Sequence, residues 1–131
     1  MDCPRCRMPL SPVTYEGVET DMCNTCWGFW LDCGELEQIL DSQELQFSQE
    51  ERDKVLGLNA ASRPGSTEPA ACPKCGKEMA RVHCDESIHL VIDQCEQHGV
   101  WLDTGEIKKV QALAEKSDDV RRMMIRKLGL G

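Results

Sequence analysis

Two sets of four potential metal ligands constrain the fold of this chain more than any other feature of its 131 residues. The first set is Cys3, Cys6, Cys23 and Cys26, and the second is Cys72, Cys75, Cys95 and His98. A C-x-x-C pair points two sulfurs at one ion from a single tight turn, here called a knuckle, and two knuckles complete the tetrahedral shell of structural zinc. The spacing therefore predicts two zinc ions (Zn²⁺) per chain, each held by protein ligands alone.

Three other roles of these cysteines fit the pattern less well than the binding of structural zinc. A redox dithiol usually lies in a βαβ context, which the sequence pattern lacks, and here the cysteines come in fours. A rubredoxin-like site would bind iron, but His98 argues against a matched pair of electron-transfer centres. A catalytic zinc needs an open coordination position, which four protein ligands do not leave. Structural zinc explains the pattern best, and His83 is a reserve ligand should His98 point away.

The two sets belong to an internal duplication. The first copy reads "CPRC" and then "DMCNTCWGFWLDCGEL", and the second reads "CPKC" and then "DQCEQHGVWLDTGEI". The spacer between the pairs is three residues longer in the second copy, and the loop before its W-L-D is one residue shorter. Loops between metal ligands can differ in length in this way as long as the ligands themselves are kept. Cys33 has Thr104 as its counterpart, so we expect a partly buried thiol there and not a ligand.

The segment 59–71, "NAASRPGSTEPAA", separates the copies and is small, polar and proline-bearing. It predicts a flexible linker between two domains, 1–58 and 72–131, each of which is a metal-bound unit followed by helices. Domains of this size bury too little apolar surface to be stable without metal or disulfides. We expect the linker to couple them only weakly, so that each domain folds with its own metal.

A hairpin and a helix are predicted in each copy. Residues 18–22 and 88–92 alternate in polarity as half-buried strands do, the first after a turn near Glu16 and Gly17. Asp32 and Asp103 are candidate helix N-caps, and each is followed three residues later by a glutamate that completes a capping box.

The three tryptophans are expected to serve two purposes. Trp30 and Trp101 are equivalent in the duplication, and in so small a core they are expected to pack the following helix against the metal-bound unit. Trp27 has no counterpart in the second copy, and Phe29 follows it closely. Both are candidate contact points for another molecule, with packing of Trp27 inside the protein as the alternative.

The C-terminal segment 117–131 is predicted to form an amphipathic helix. Its apolar side contains Val120, Met123, Met124 and Leu128, and its other side contains Arg121, Arg122, Arg126 and Lys127. Three interpretations stay open: the apolar side packs on the protein's own helices, it docks on a partner, or the segment contacts phosphate or an anionic membrane surface. The third is the weakest, because the segment is short and the rest of the protein is acidic. In the second case methionines would suit an adaptable groove and the basic residues would select an acidic partner.

The motif C-P-x-C, a second pair and then W-L-D-x-G-E-L resembles the TFIIB-type zinc-ribbon family of transcription factor zinc fingers, present here in two tandem copies. The resemblance covers residues 2–41 and 71–112. It implies a small metal-stabilised α+β fold of two zinc ribbons, each a short β-hairpin with cysteine knuckles followed by an α-helix. Since this family is named for its likeness to a transcription-factor ribbon, it implies little about activity.

The net charge of the chain limits the kind of partner that it can bind. The net charge is −8, and residues 1–66 carry five basic and twelve acidic side chains, a net of −7. Phosphate binding needs a basic surface, so nucleic acid is disfavoured as a partner, although the family resemblance keeps a transcription-associated role as the alternative. No apolar leader precedes Cys3 and no apolar run is long enough to span a membrane, so we expect a cytoplasmic protein. We expect a non-enzymatic adaptor that engages a protein; whether it forms homo-oligomers is left open.

Overall fold

The computed structural model describes residues 1–42, 50, 69–85, 90–103, 106–116 and 118–127, and shows a small α+β fold with an antiparallel sheet. The strands of the described residues are β1 Ser11–Tyr15, β2 Val18–Met22, β3 Phe29–Asp32, β4 Ala80–Asp85, β5 Leu90–Cys95 and β6 Gly99–Leu102. The helices are α1 Glu35–Ser42, α2 Glu106–Lys116 and α3 Asp118–Lys127. The helices expected between residue 42 and the linker, and most of the linker itself, lie outside the described residues, so the domain boundaries stay a prediction.

The first hairpin has the turn that the sequence predicts. Tyr15 pairs with Val18, and the two residues between them have positive φ, 51° at Glu16 and 77° at Gly17. Positive φ at both central residues is typical of a type I′ turn, whose twist matches that of antiparallel strands. Val18 and Thr20 are buried on one face of β2, as the alternation predicts. The turn of the second hairpin lies outside the described residues.

The two copies share one sheet, in the order β1-β2-β3-β6-β5-β4. The central pair joins β3 of the first copy to β6 of the second in antiparallel register, with Trp30 opposite Trp101. The expectation that the copies are only weakly coupled is therefore wrong. The composition of the linker describes only the connecting segment. It carries no information on whether the edge strands of the two half-sheets pair through backbone hydrogen bonds.

The helices cover one face of this sheet. Leu31, Val100 and Leu102 point from the central strands into the main apolar core, where they meet residues of all three helices. The buried helix residues of this core are Leu36, Ile39, Leu40, Ile107, Val110, Leu113, Ala114 and Met124. Within the described part of the chain, no helix has the length and apolar character needed to cross a bilayer.

The last helix packs on the protein itself. Met124 is fully buried, and Val120 and Ile125 pack against the same core, which agrees with the first of the three interpretations of this segment. Met124 is thus wrong as a candidate contact for a partner, because an amphipathic stripe cannot show from sequence which surface covers it. Leu128 lies outside the described residues. The exposed side of the helix presents Arg122 and Arg126.

Candidate metal centres

Four short turns bring the two predicted ligand sets together, and three of them are knuckles of one repeated shape. The carbonyl of Cys3 accepts a hydrogen bond from the N–H of Arg7 at 2.9 Å, and the N–H of Cys3 donates to the carbonyl of Met8 at 2.7 Å. The same two bonds recur around Cys23 and around Cys72. Only the Cys95–His98 turn differs, with the His98 N–H donating to the Cys95 carbonyl at 3.1 Å. Four local turns therefore deliver the eight ligands.

The ligand atoms of each set lie within 4.8 Å of one another, which fits one tetrahedral ion. Zn–S bonds of about 2.3 Å place two sulfurs of a tetrahedron roughly 3.8 Å apart. The observed Sγ···Sγ distances are 3.7 Å for Cys3–Cys26 and 3.9 Å for Cys75–Cys95. Nδ1 of His98 lies 3.4 Å from Sγ of Cys95 and 3.7 Å from Sγ of Cys72, so His98 joins its set and no reserve ligand is required.

The electrostatics of the sulfurs also fit a bound cation. Burial raises the pKa of Cys3 and Cys26, and it raises the pKa of Cys72 to about 11. Burial also acts on Cys23, but there the backbone N–H groups of Cys26 and Thr25 outweigh it and lower the pKa to about 7. Buried thiols with raised pKa become ligands only when a cation compensates the thiolate charge. Zinc would supply that charge and hold the knuckles together.

Trp30 and Trp101 lie between the two ligand sets and are completely buried. They pack with Cys3, Cys23 and Cys72 in a second apolar cluster, on the side of the sheet away from the main core. The expected packing against the metal-bound units is thus confirmed. Contact with the helix is indirect, because each indole N–H donates to the aspartate that precedes the helix, at 3.0 Å for Trp30 and 2.9 Å for Trp101.

The aspartate of each W-L-D also forms half of the predicted capping box. The N–H of Asp32 donates to Oε1 of Glu35 at 3.2 Å, and the N–H of Asp103 donates to Oε1 of Glu106 at 2.6 Å. Burial raises the pKa of Glu35 to about 7 and that of Glu106 to about 8, and the neighbouring aspartates add to both shifts. Each copy therefore has two neighbouring acidic side chains, Asp32 with Glu35 or Asp103 with Glu106, that lie beside the C-P-x-C knuckle of the other copy.

Basic residues inside the knuckles bridge the two copies, and sequence reasoning missed them. Arg5 lies between Cys3 and Cys6, and its Nη2 is 2.9 Å from Oδ2 of Asp93 in the second copy. Its Nε and Nη2 also form a fork on the two carboxylate oxygens of Asp103, at 3.1 and 3.2 Å.

Lys74 repeats this contact in the opposite direction. It lies between Cys72 and Cys75, and its Nζ forms an ion pair with Asp32 of the first copy. The available signal was a basic residue in both C-P-x-C motifs, together with an aspartate in both W-L-D motifs.

Trp27 stands apart from the other tryptophans because 61% of its surface is exposed. It follows Cys26 directly and has φ of 62°, in the left-handed region. Phe29, by contrast, packs edge-on against Tyr15 with ring centroids 5.2 Å apart and is partly buried at the main core. Of the two aromatic candidates, only Trp27 is presented to solvent.

The remaining candidates do not join the ligand sets. Cys33 is exposed, with its Sγ 3.9 Å from the carbonyl of Glu96, so its expected partial burial is wrong. His83 is exposed on β4. Met123 and Arg121 are half-buried on α3, and the side chain of Lys127 lies outside the described residues.

The family comparison agrees with the first ligand set. Residues 2–42 match the family described as transcription factor zinc-finger, a TFIIB-type zinc ribbon. The second set, residues 72–98, lies outside this match, so its assignment rests on the internal duplication and on the ligand geometry. Neither a curated protein nor a solved structure matches the chain.

Proposed function

We propose that this protein is a non-enzymatic, cytoplasmic zinc-binding module that contacts a protein partner through Trp27, at the tip of the first metal-held unit. One observation carries the proposal: a large aromatic side chain is presented to solvent from a left-handed backbone position beside a closed metal site.

The left-handed conformation favours glycine at this position. For a residue with a Cβ it costs about 1–2 kcal/mol, and it is rare for bulky residues. The equivalent positions of the other two knuckles of this shape hold Arg7, with φ of 64°, and Gly76, with φ of 76°, so the conformation belongs to the knuckle and the side chain is what differs. Trp27 gains little packing in return, because most of its surface remains in water. Tryptophan is among the side chains that contribute most to protein interfaces, and here it is exposed on a turn whose backbone is held by hydrogen bonds.

The ligand sets support a structural role for the metal and not a catalytic one. Each predicted zinc has four protein ligands, which leaves no position for an activated water. The ions would then supply the folding energy that a chain of this size needs, on the order of 10 kcal/mol per structural site.

Nucleic-acid or transcription-associated binding is the alternative function, favoured by the zinc-ribbon match at residues 2–42 and by the exposed basic side of α3. The net charge of −8 opposes it, because phosphate binding requires a positive surface. A salt series with random DNA and RNA tests this alternative: affinity that falls steeply with salt would favour it over a protein partner.

Capture experiments with matched variants test the main proposal. Tagged wild-type protein, Trp27→Gly and the double variant Arg122→Ala/Arg126→Ala are each used under zinc-replete, reducing conditions on an extract of the native host. Trp27→Gly is expected to retain two zinc ions and a folded spectrum but to lose the captured protein, which the arginine variant keeps. Undiminished capture by a folded Trp27→Gly would contradict the proposal, and loss only in the arginine variant would move the interface to α3.

A further inference from the structure

The basic residue of each C-P-x-C knuckle binds acids that belong to the opposite copy, and this arrangement occurs twice, once in each direction. We propose that Arg5 and Lys74 are positioning residues that couple the two metal sites, so that zinc bound in one ligand set raises the affinity of the other set. The inference concerns metal loading and is independent of any contact made by Trp27.

On one side, each basic residue is tied to its own knuckle. The backbone N–H of Arg5 donates to Sγ of Cys3 at 3.3 Å, and the N–H of Lys74 donates to Sγ of Cys72 at 3.4 Å. A hydrogen bond to a thiolate is stronger than one to a thiol, because the acceptor is charged. Metal binding therefore holds the backbone from which these two side chains extend.

On the other side, the acids are placed by the opposite metal site. Asp93 lies on β5 two residues before the ligand Cys95. Asp103 directly follows β6, the strand that starts after the ligand His98. Ordering of the second ligand set thus fixes both carboxylates that hold Arg5. By the same logic, ordering of Cys26 and β3 fixes Asp32, which holds Lys74.

The two contacts differ in strength. Asp93 is only 2% exposed and Arg5 18%, and Arg5 forms a fork on Asp103 in addition. Lys74 and Asp32 are 38% and 40% exposed, where an ion pair is screened by water. Most of the coupling is therefore assigned to Arg5.

Coupling between two sites is reciprocal and typically amounts to a factor of about 5–150 in affinity. The shared sheet also joins the copies, so the experiment has to separate the knuckle contacts from the β3–β6 ladder. Arg5→Gln/Lys74→Gln removes the two contacts and leaves all eight ligands and the ladder residues in place. Arg7→Gln/Lys77→Gln is the matched control, because it removes two exposed charges from the same knuckles.

Zinc is added to the apo chain in substoichiometric steps, and native mass spectrometry counts chains with no, one and two ions. In the wild type we expect the singly loaded chain to be scarce. In Arg5→Gln/Lys74→Gln it should accumulate, with the affinity for the second ion lowered at least about fivefold, while saturating zinc still fills both sets. Arg7→Gln/Lys77→Gln should behave as the wild type, and Arg5→Lys should restore part of the coupling.

Two results would overturn the inference. One is an unchanged distribution in Arg5→Gln/Lys74→Gln, which would assign any cooperativity to the sheet alone. The other is a wild type in which the singly loaded chain reaches the abundance expected for two independent sites, which would mean that the sites are not coupled at all. Should the double variant fail to fold in saturating zinc, the single variants Arg5→Lys and Lys74→Gln decide instead: both must raise the singly loaded fraction above that of the wild type, and no rise in either would contradict the inference.

Discussion

Trp30 and Trp101 lie opposite each other in the β3–β6 ladder, and they occupy the same position in the two copies of the repeat. Equivalent residues that face each other mark an approximate twofold axis between the copies, as in the self-complementary interface of a homodimer. The same symmetry explains why Arg5 and Lys74 make matching contacts in opposite directions. The two halves of this chain therefore meet in the way that the subunits of a symmetric dimer do.

Loss of one metal site should affect both copies. Cys6→Ser removes a ligand from the first set, and we expect it to release that zinc and to broaden or shift amide resonances of β6 and α2 as well as those of the first copy. The reason is that β3 and Arg5, which the first site orders, contact the second copy. Heteronuclear NMR in zinc-replete buffer is the measurement; a second copy with an unchanged spectrum would show that the copies fold independently.

Close approach of the copies at Gly28 should make this position intolerant of a side chain. A Cβ at residue 28 would lie 2.3 Å from Cζ2 of Trp101, a completely buried ring that cannot move aside. We expect Gly28→Ala to lower the free energy of unfolding by about 2–3 kcal/mol, toward the upper end of the range for overpacked cores. Gly76→Ala is the control, since its Cβ meets open space and adds only backbone strain of about 1 kcal/mol. Chemical denaturation at fixed zinc compares the two, and equal losses would argue against the tight contact.

Glu106 should make stability depend on pH between about 4.5 and 8. Its pKa is raised to about 8 from an ordinary 4.5 by burial and by Asp103 and Asp93, with Lys109 opposing. The folded state thus keeps a proton that the unfolded state has lost, so this group lowers stability progressively as the pH rises from about 4.5 to 8.

Glu106→Gln tests this, because the amide oxygen can still accept the Asp103 N–H while the buried charge is removed. We expect its melting temperature, relative to that of the wild type at each pH, to increase between pH 6 and pH 9. Glu78→Gln removes a glutamate at an exposed position and controls for net charge. A difference between Glu106→Gln and the wild type that does not vary with pH would contradict the assignment.

Trp27→Gly should raise stability. Glycine adopts a φ of 62° without the strain that a Cβ introduces, and little buried surface is lost with an exposed indole. A gain of up to about 1 kcal/mol in the free energy of unfolding is expected, within the range for glycine placed at left-handed positions. Trp27→Ala, which keeps the Cβ, is the matched control and should show no gain. A clear loss of stability in Trp27→Gly would mean that the ring packs on the protein.

His98→Cys should retain metal in the second set, since it provides the same four sulfurs as the first. Nδ1 of His98 lies among the other three ligand atoms, and a thiolate is an equally good ligand for zinc. With Co²⁺ in place of Zn²⁺, the absorption spectrum of the metal bound to the variant should change toward that of an all-sulfur site. The stoichiometry should stay at two ions per chain. Stoichiometry reduced to one ion would show that a sulfur at position 98 cannot reach the metal.

Much of the candidate site could be predicted because it depends on short stretches of chain. The knuckles around Cys3, Cys23 and Cys72, the turn at Glu16 and Gly17, and the bond from Asp32 to Glu35 all involve residues that are close in sequence. Their spacing alone places the interacting atoms within reach. The duplication then predicted which ligands belong together, because each set repeats the same order.

The sequence by itself determined the ligand sets, their knuckles and the amphipathic helices, whereas only the tertiary structure decided how the copies meet. Neither spacing nor propensity specifies that β3 pairs with β6, that Arg5 reaches Asp93, or that the buried side of α3 includes Met124. These contacts join residues that are far apart in the chain. The composition of the segment between the copies is compatible with many distances between them. They form because together they bury Trp30 and Trp101, satisfy the hydrogen bonds at the edges of both half-sheets and pair the charges beside each knuckle. This gain in free energy exists only once both copies are assembled.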